Sequence, residues 1–336
     1  MARATLQLKL KTNDVINGKY TVIKKLGEGG CGSVYRCKPL KGENEVAIKV
    51  LENASDLPRF KREAKVLGSI RHHHVVKLLD RGVHERHPYL VLEYMEGGSV
   101  RDLMDKSGKM SAEEAAWVMV QAVRGLRASR TVHRDMKPEN LLVGRGLGKG
   151  GTLRLSVNDI RKGSIIKVAD FGLAKGHDPS ATKLTNTGQV MGTPVYMSPE
   201  QCRNTRTVTT KSDIYSLGII LYEIVVGKAP FDANNAYDIM AMHCNDAPKY
   251  PRLMDQRIKT ILERCLSKVP KDRYASLYAL ERDLAAIAGL GEPEPDRLPW
   301  AWIVATLGIM IFIVLAYVLR DDLMPILTAW FEKILR

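Results

Sequence analysis

Four glycines in six residues, Gly27-Glu-Gly-Gly-Cys-Gly32, lie between residues 20–23 and 34–36, two stretches that read as β-strand. Glycine lets a backbone turn tightly and bring its amides close to phosphate oxygens. Such a cluster alone is a weak signal, because dinucleotide folds and chance also produce it. The residues beyond the glycines separate the options. A dinucleotide site continues from its glycines into a helix and carries an acid about twenty residues on. Here Ser33-Val-Tyr-Arg-Cys37 reads as a second strand and Glu45-Val-Ala-Ile-Lys-Val50 as a third. The glycines therefore cap a hairpin, and Lys49 sits on the next strand.

The chain has 336 residues, of which 45% are apolar and 26% charged, so it is a folded protein of about two domains and not a disordered one. A mean hydropathy of −0.16 leaves room for one membrane-spanning helix at most. The formal charge of +14 favours anionic partners: nucleotide phosphates, acidic proteins or an anionic membrane face. Nucleic acid is open on charge alone, a weak and common signal, and is not among the partners expected. The five cysteines, Cys31, Cys37, Cys202, Cys244 and Cys265, are scattered and form no C-x-x-C. They argue against a disulfide framework or zinc site and for a reducing compartment.

Residues 300–319 read WAWIVATLGIMIFIVLAYVL, without a charge or a proline. Twenty residues at about 1.5 Å each span about 30 Å, one hydrocarbon core. Trp300, Trp302 and Tyr317 lie near the ends, where amphipathic rings favour the interface. A buried core helix of this length would show a polar face, so the run reads as one transmembrane helix. Basic residues on its flanks, Arg297 against Arg320, Lys333 and Arg336, do not settle its orientation. The N-terminus has no apolar core of signal-peptide length, which places the body on the cytoplasmic side of a single-pass cell-membrane protein. Residues 287–299 are a stiff Pro/Gly/acid linker. The tail, 320–336, is too short for a ligand-binding ectodomain. From Pro325 it either forms an interfacial helix, with Ile326, Leu327, Trp330, Phe331, Ile334 and Leu335 on one side, or frays.

The segment Val46-Ala-Ile-Lys49 resembles the nucleotide lysine of protein kinases, and the resemblance extends over residues 20–286. Arg59-Phe-Lys-Arg-Glu63-Ala-Lys-Val-Leu67 resembles the regulatory helix, with Glu63 as partner of Lys49. Val132-His-Arg-Asp135-Met-Lys137-Pro-Glu-Asn140 is similar to the catalytic loop and is the most specific motif. The resemblance implies that Asp135 accepts the proton of the attacking hydroxyl and that Lys137 neutralises the moving phosphoryl group. Asn140 and Asp170 of Asp170-Phe-Gly172 would hold magnesium, with manganese an acceptable substitute. It assigns ATP contacts to Leu26, Gly27, Glu28, Gly29, Gly30, Cys31, Gly32, Val34, Ala47, Lys49, Glu93 and Met95. Gly192-Thr193-Pro-Val-Tyr-Met-Ser198-Pro-Glu200 resembles the substrate-facing end of the activation segment, with Thr193 toward the substrate. Glu200 would pair with Arg273, and Asp213 would brace the catalytic loop. Lys137 and Thr193 match the serine/threonine class. The whole is similar to bacterial eukaryotic-like serine/threonine protein kinases with a C-terminal transmembrane anchor.

The expected fold is therefore α+β and bilobal, plus one transmembrane helix. A five-stranded small lobe at 20–95 and a helical large lobe at 96–286 follow an N-terminal extension, 1–19. The expected reaction moves the ATP γ-phosphate to serine or threonine of protein substrates. Arg134, ahead of Asp135, calls for an anion, and Thr185 and Thr187 are the candidates for autophosphorylation in trans within a transient homodimer. They also read as ordinary exposed loop threonines. A pseudokinase scaffold would lack one of Lys49, Glu63, Asp135, Asn140 and Asp170, and none is missing. A small-molecule kinase would lack the peptide-groove residues Gly192-Thr193 and Ser198-Pro-Glu200. The triplet His72-His73-His74 reads as a turn and not a metal site, because adjacent histidines cannot all face one ion. Cys31, at the tip of the glycine loop, is either an oxidisable gate or a simple replacement. Asp170 lies thirty positions after Asn140, about twice the step usual in the family that the chain resembles. The glycine-rich surplus at 144–162 is either a docking surface or a tolerated insertion between two short strands.

Overall fold

The computed structural model describes residues 8–29, 32–52, 56–145, 164–171, 194–203 and 207–294, then 307–311, 313–314, 317 and 330. The chain divides into two units, 1–293 and 294–336. In the first, six antiparallel strands come before the long helices: β1 (Val15–Ile16), β2 (Tyr20–Gly29), β3 (Gly32–Pro39), β4 (Val46–Val50), β5 (Leu78–His84) and β6 (His87–Glu93). Their order in the sheet is β1-β2-β3-β4-β6-β5. Alternation selects the buried face, as period 2 requires: Tyr35 and Cys37 point inward from β3 and join Ile16, Val22, Ile48, Tyr89 and Val91 in one core.

The sheet thus holds one strand more than the five expected, and it begins inside the stretch read as an extension. Two residues are too short to show a period. The fully buried Ile16 and its pairing with Tyr20 make β1 part of the lobe all the same. Helix α1 (Leu57–Ser69) starts two residues before Arg59, with Pro58 in its first turn, where a fixed φ suits the helix. Its Phe60 and Ala64 pack on Leu51 and Leu90 of the sheet.

The large lobe is built around α5 (Thr210–Val226), following α2 (Val100–Ser107), α3 (Ala112–Ser129) and the short α4 (Pro199–Arg203). Every residue of α5 from Ser212 to Ile224 is buried, the mark of a central helix. Gly227, at φ 85°, ends it in the left-handed conformation that glycine adopts freely. Capping boxes at Ser99/Asp102 and Ser111/Glu114 start α2 and α3. Around them lie α6 (Ala236–Asn245), α7 (Gln256–Cys265) and α8 (Leu277–Ala288). Helix α8 is fastened to α3 by Arg124 and Arg127, which both bind the buried Glu281.

Strands β7 (Leu141–Arg145) and β8 (Ser164–Val168) form a separate antiparallel pair whose last partners are Arg145 and Ser164. The glycine-rich surplus therefore leaves and re-enters the fold at opposed positions of one hairpin; residues 146–163 lie outside the described residues. In the second unit, the described residues from Leu307 onward are helical, and Leu307, Ile309, Met310 and Tyr317 are exposed. No helix among the described residues is long and apolar enough to cross a membrane. Most of the run 300–319, and the tail except Trp330, lie outside them.

Candidate active site

Strand β4 carries Lys49 into the space under the glycine hairpin, opposite Val34 of β3 and Leu90 of β6. Its ammonium lies 3.0 Å from both carboxylate oxygens of Glu63 on α1 and also bonds Asp170. Lys49 and Glu63 are buried, and buried charges persist only when paired. Burial acts to lower the pKa of Lys49, but Asp170 and Glu63 together outweigh it, so the ammonium is held charged. Burial raises the Glu63 carboxyl, with Lys49 opposing. For Asp170 burial also acts upward, and Lys49 overcomes it, so this carboxylate sits below the usual range.

The second half of the site is the loop before β7. Asp213, rising from α5, accepts the backbone N–H of His133 at 2.8 Å and of Arg134 at 2.9 Å. Gln201 of α4 donates to the Arg134 carbonyl at 2.8 Å. These three bonds hold Arg134 at φ 69°, a left-handed conformation that costs a non-glycine residue energy. His133 donates from Nε2 to the Ala169 carbonyl at 3.1 Å, while its Nδ1 accepts from the Asp135 amide at 3.3 Å. The Ala169 amide donates to the Asn140 carbonyl at 2.9 Å. Asp135, Asn140 and Asp170 thus belong to one hydrogen-bonded frame, and Asp170 too has a positive φ, 54°.

Within that frame Lys137 lies 3.3 Å from the Asp135 carboxylate, both half-exposed. Asn140 donates from Nδ2 to the Asp135 carbonyl at 2.6 Å, which turns its amide oxygen the other way. Asp170 is 45% exposed, with one oxygen on Lys49. An amide oxygen and a carboxylate suit a hard divalent cation that completes its shell from phosphates and water. Among the described residues no group of three or more His, Cys, Asp or Glu could hold a metal. The donors present therefore fit magnesium bound together with a nucleotide, and no all-protein metal cage. His74 of the histidine triplet donates to the Ile166 carbonyl at 3.0 Å, and burial pushes its pKa down to about 4.

The residues expected to contact the nucleotide fall partly inside the described structure and partly outside it. Gly27 pairs with Val34, Glu28 with Ser33 and Gly29 with Gly32 across the hairpin, and Leu26 is exposed. Gly32 has φ 136°, and a Cβ there would lie 1.9 Å from the Val50 carbonyl oxygen, so only glycine fits. Ala47 is opposite Leu92, and Met95 packs with Val76 and Ile165. Gly30, Cys31, Thr185, Thr187, Gly192 and Thr193 lie outside the described residues.

Two features escaped the motif reading. Lys167 of β8 grips both Glu93 carboxylate oxygens at 2.8 Å, so a residue expected to contact the nucleotide is held from the other lobe. Its only signal was a lysine in the otherwise apolar run before Asp170. Arg101 of α2 binds Glu139 of the catalytic loop, Glu223 of α5 and Tyr196. Further out, Glu200 and Arg273 form a buried two-pronged pair at 2.8 and 2.9 Å, and Ser212 donates to Glu200.

The family described as protein kinase domain matches residues 20–284. The chain belongs to the protein kinase family. Its small sheet lobe and helical large lobe are the two lobes of that fold. It is 32% identical over 286 residues to the serine/threonine-protein kinase PknL of Mycobacterium tuberculosis, covering 82% of this chain and 67% of PknL. To PrkC of Bacillus subtilis it is 33% identical over 281 residues, covering 80% of this chain and 40% of PrkC. To PknB of M. tuberculosis it is 30% identical over 305 residues, covering 86% and 46%. The chain spans two thirds of PknL and less than half of the other two. By family and by these relatives it is a serine/threonine kinase enzyme that uses ATP and a divalent metal.

Proposed function

We propose that this kinase transfers the γ-phosphate of ATP to serine and threonine hydroxyls of proteins and activates itself by phosphorylating Thr185 and Thr187 in trans. We place it at the cell membrane, single-pass, with the catalytic unit on the cytoplasmic side. The observation that carries the catalytic reading is the meeting of Lys49, Glu63 and Asp170 beside a loop that presents Asp135, Lys137 and Asn140.

The chemistry rests on those groups. Lys49, kept charged and aimed by Glu63, offers its ammonium to a phosphate oxygen. The hydroxyl oxygen of the substrate attacks the γ-phosphorus, its proton passes to an Asp135 carboxylate oxygen, and ADP leaves with the bridging oxygen. Lys137 is near enough to Asp135 to balance charge on the transferring group. A magnesium ion on Asp170 and Asn140 would supply charge neutralisation of the phosphates. The activating role of Thr185 and Thr187 is supported by Arg134, whose cation in front of Asp135 is a ready partner for a phosphate of about −1.5 to −2 charge. The anchor is supported by the uncharged run 300–319.

Three measurements test this. The full chain with labelled ATP should label a protein acceptor, and Asp135→Asn should not. Phosphopeptide mapping of active enzyme should find Thr185 or Thr187 occupied; an active enzyme with both empty removes the regulatory part. Removing residues 300–336 should release the kinase from vesicles and make autophosphorylation dilution-sensitive, because confinement raises the local concentration of partners. A truncated enzyme whose rate is unchanged on dilution would show that activation does not need the membrane.

A further inference from the structure

Arg101 is the centre of a charged cluster that the transfer chemistry does not use. Its Nη2 lies 3.0 Å from Glu223 Oε1 and 3.1 Å from Oε2, and its Nε donates to Glu139 Oε1 at 3.2 Å. It also bonds the Tyr196 hydroxyl, which donates to Glu223 Oε2 at 2.6 Å. Asp105, one turn along α2, is 3.9 Å away and largely exposed. Arg101 and Glu223 are mostly covered, with side chains 26% and 11% exposed, whereas Glu139 is 46% exposed. Burial and then Glu223 push the Tyr196 phenol up, so it remains a donor and cannot supply a charge of its own.

Two of these partners lie next to residues that the kinase reading assigns to phosphoryl transfer and to the substrate. Glu139 lies between Lys137 and Asn140 in the catalytic loop. Tyr196 ends the turn Pro194–Tyr196, directly after Thr193. Two carboxylates converging beside a transfer site form a seat for a cationic side chain, and a guanidinium fork fits such a seat best. In this kinase the seat is filled from within the chain. A second guanidinium entering it would meet a like charge and find the Glu223 oxygens already taken.

We infer that Arg101 is a specificity-determining residue: by occupying the Glu139–Glu223 carboxylate pair it turns the kinase away from protein segments with Arg or Lys beside the accepting hydroxyl. Neutral or acidic segments remain as its substrates. The formal charge of +14 acts in the same direction, because a cationic enzyme gathers anionic partners. This inference rests on the protein-kinase reading of the site.

The test uses the full-length protein and a neutral serine peptide in which a single arginine is moved, one position at a time, along both sides of the serine. The readout is kcat/KM for each arginine peptide divided by that for the alanine parent in the same preparation, so differences in active fraction cancel. Wild type should give ratios at or below one at every position. Arg101→Met should raise the ratio about tenfold or more at one position, the scale of a hydrogen-bonded charge pair gained. Arg101→Lys should stay close to wild type, and guanidinium ion added to Arg101→Met should refill the seat and lower the ratio again. Should the Met variant not fold, Arg101→Gln, which retains hydrogen bonding to Tyr196, should show the same rise. A flat profile in an active variant, or a wild-type ratio already near ten, would overturn the role of Arg101. Absence of transfer to every peptide and protein by the wild type would overturn the kinase reading instead.

Discussion

Replacing Asp213 by alanine tests whether the active loop is held by one buried carboxylate. Asp213 is 1% exposed and accepts the N–H groups of His133 and Arg134. Alanine strands both donors where water cannot reach them, at about 1–3 kcal/mol for each buried group left unpaired. The expected loss is about 2–6 kcal/mol, out of the roughly 5–15 kcal/mol that stabilises a domain. At about 2–4 °C per kcal/mol for a domain of this size, the melting temperature should fall by about 4–24 °C. Catalysis should suffer more, because Arg134 would relax from φ 69° and move Asp135, and a misplacement of about 1 Å costs roughly a hundredfold in rate. Lys49 and Glu63 stand on other elements, so the KM for ATP should change little. Asp213→Asn keeps one acceptor, and burial already pushes the Asp213 carboxyl up toward its neutral form, so this variant should fall between alanine and wild type. Thermal unfolding followed by circular dichroism and steady-state kinetics with saturating peptide give the two numbers. An alanine variant with wild-type melting and wild-type kcat would refute the bracing argument.

Asp170→Ala and Lys49→Met should each reduce kcat by about three orders of magnitude or more in single-turnover assays while the circular dichroism spectrum stays that of the wild type. Arg273→Met should lower stability by about 3–5 kcal/mol in urea titration by stranding the buried Glu200, and Glu200→Met in the same chain should recover part of the loss. His74 and His243 are held neutral by burial, at about 4 each, against about 6.5 in the unfolded chain. Their contribution is therefore complete above about pH 6.5 and is lost as pH falls through 4, because only the unfolded chain takes up the protons. Urea midpoints should decline over that window, and His74→Gln should make the decline shallower; an unchanged slope would exclude His74 as a cause.

The motif residues were legible through their resemblance to protein kinases. A lysine on the strand after a glycine hairpin, an Asp-x-Lys-x-x-Asn loop and an Asp-Phe-Gly are the pattern of that family, and the resemblance implies their roles toward ATP, metal and the substrate proton. The same holds for the expectation that Asp213 meets the loop and that Glu200 meets Arg273, which the structure places in direct contact. The sequence also located the surplus, through a length between Asn140 and Asp170 that is long against the family that the chain resembles, and strands β7 and β8 flank it. It did not reveal β1, since two residues carry no period, and only the burial of Ile16 makes them a strand. Nor did it reveal that Lys167 holds Glu93, or that Arg101 fills the Glu139–Glu223 pair. Such charges find their partners 74 and 122 residues away in the chain. Local pattern reports which face of a helix or strand is polar. Which distant charge that face meets is decided when the lobes pack, because a buried ion must then take whichever partner the fold delivers.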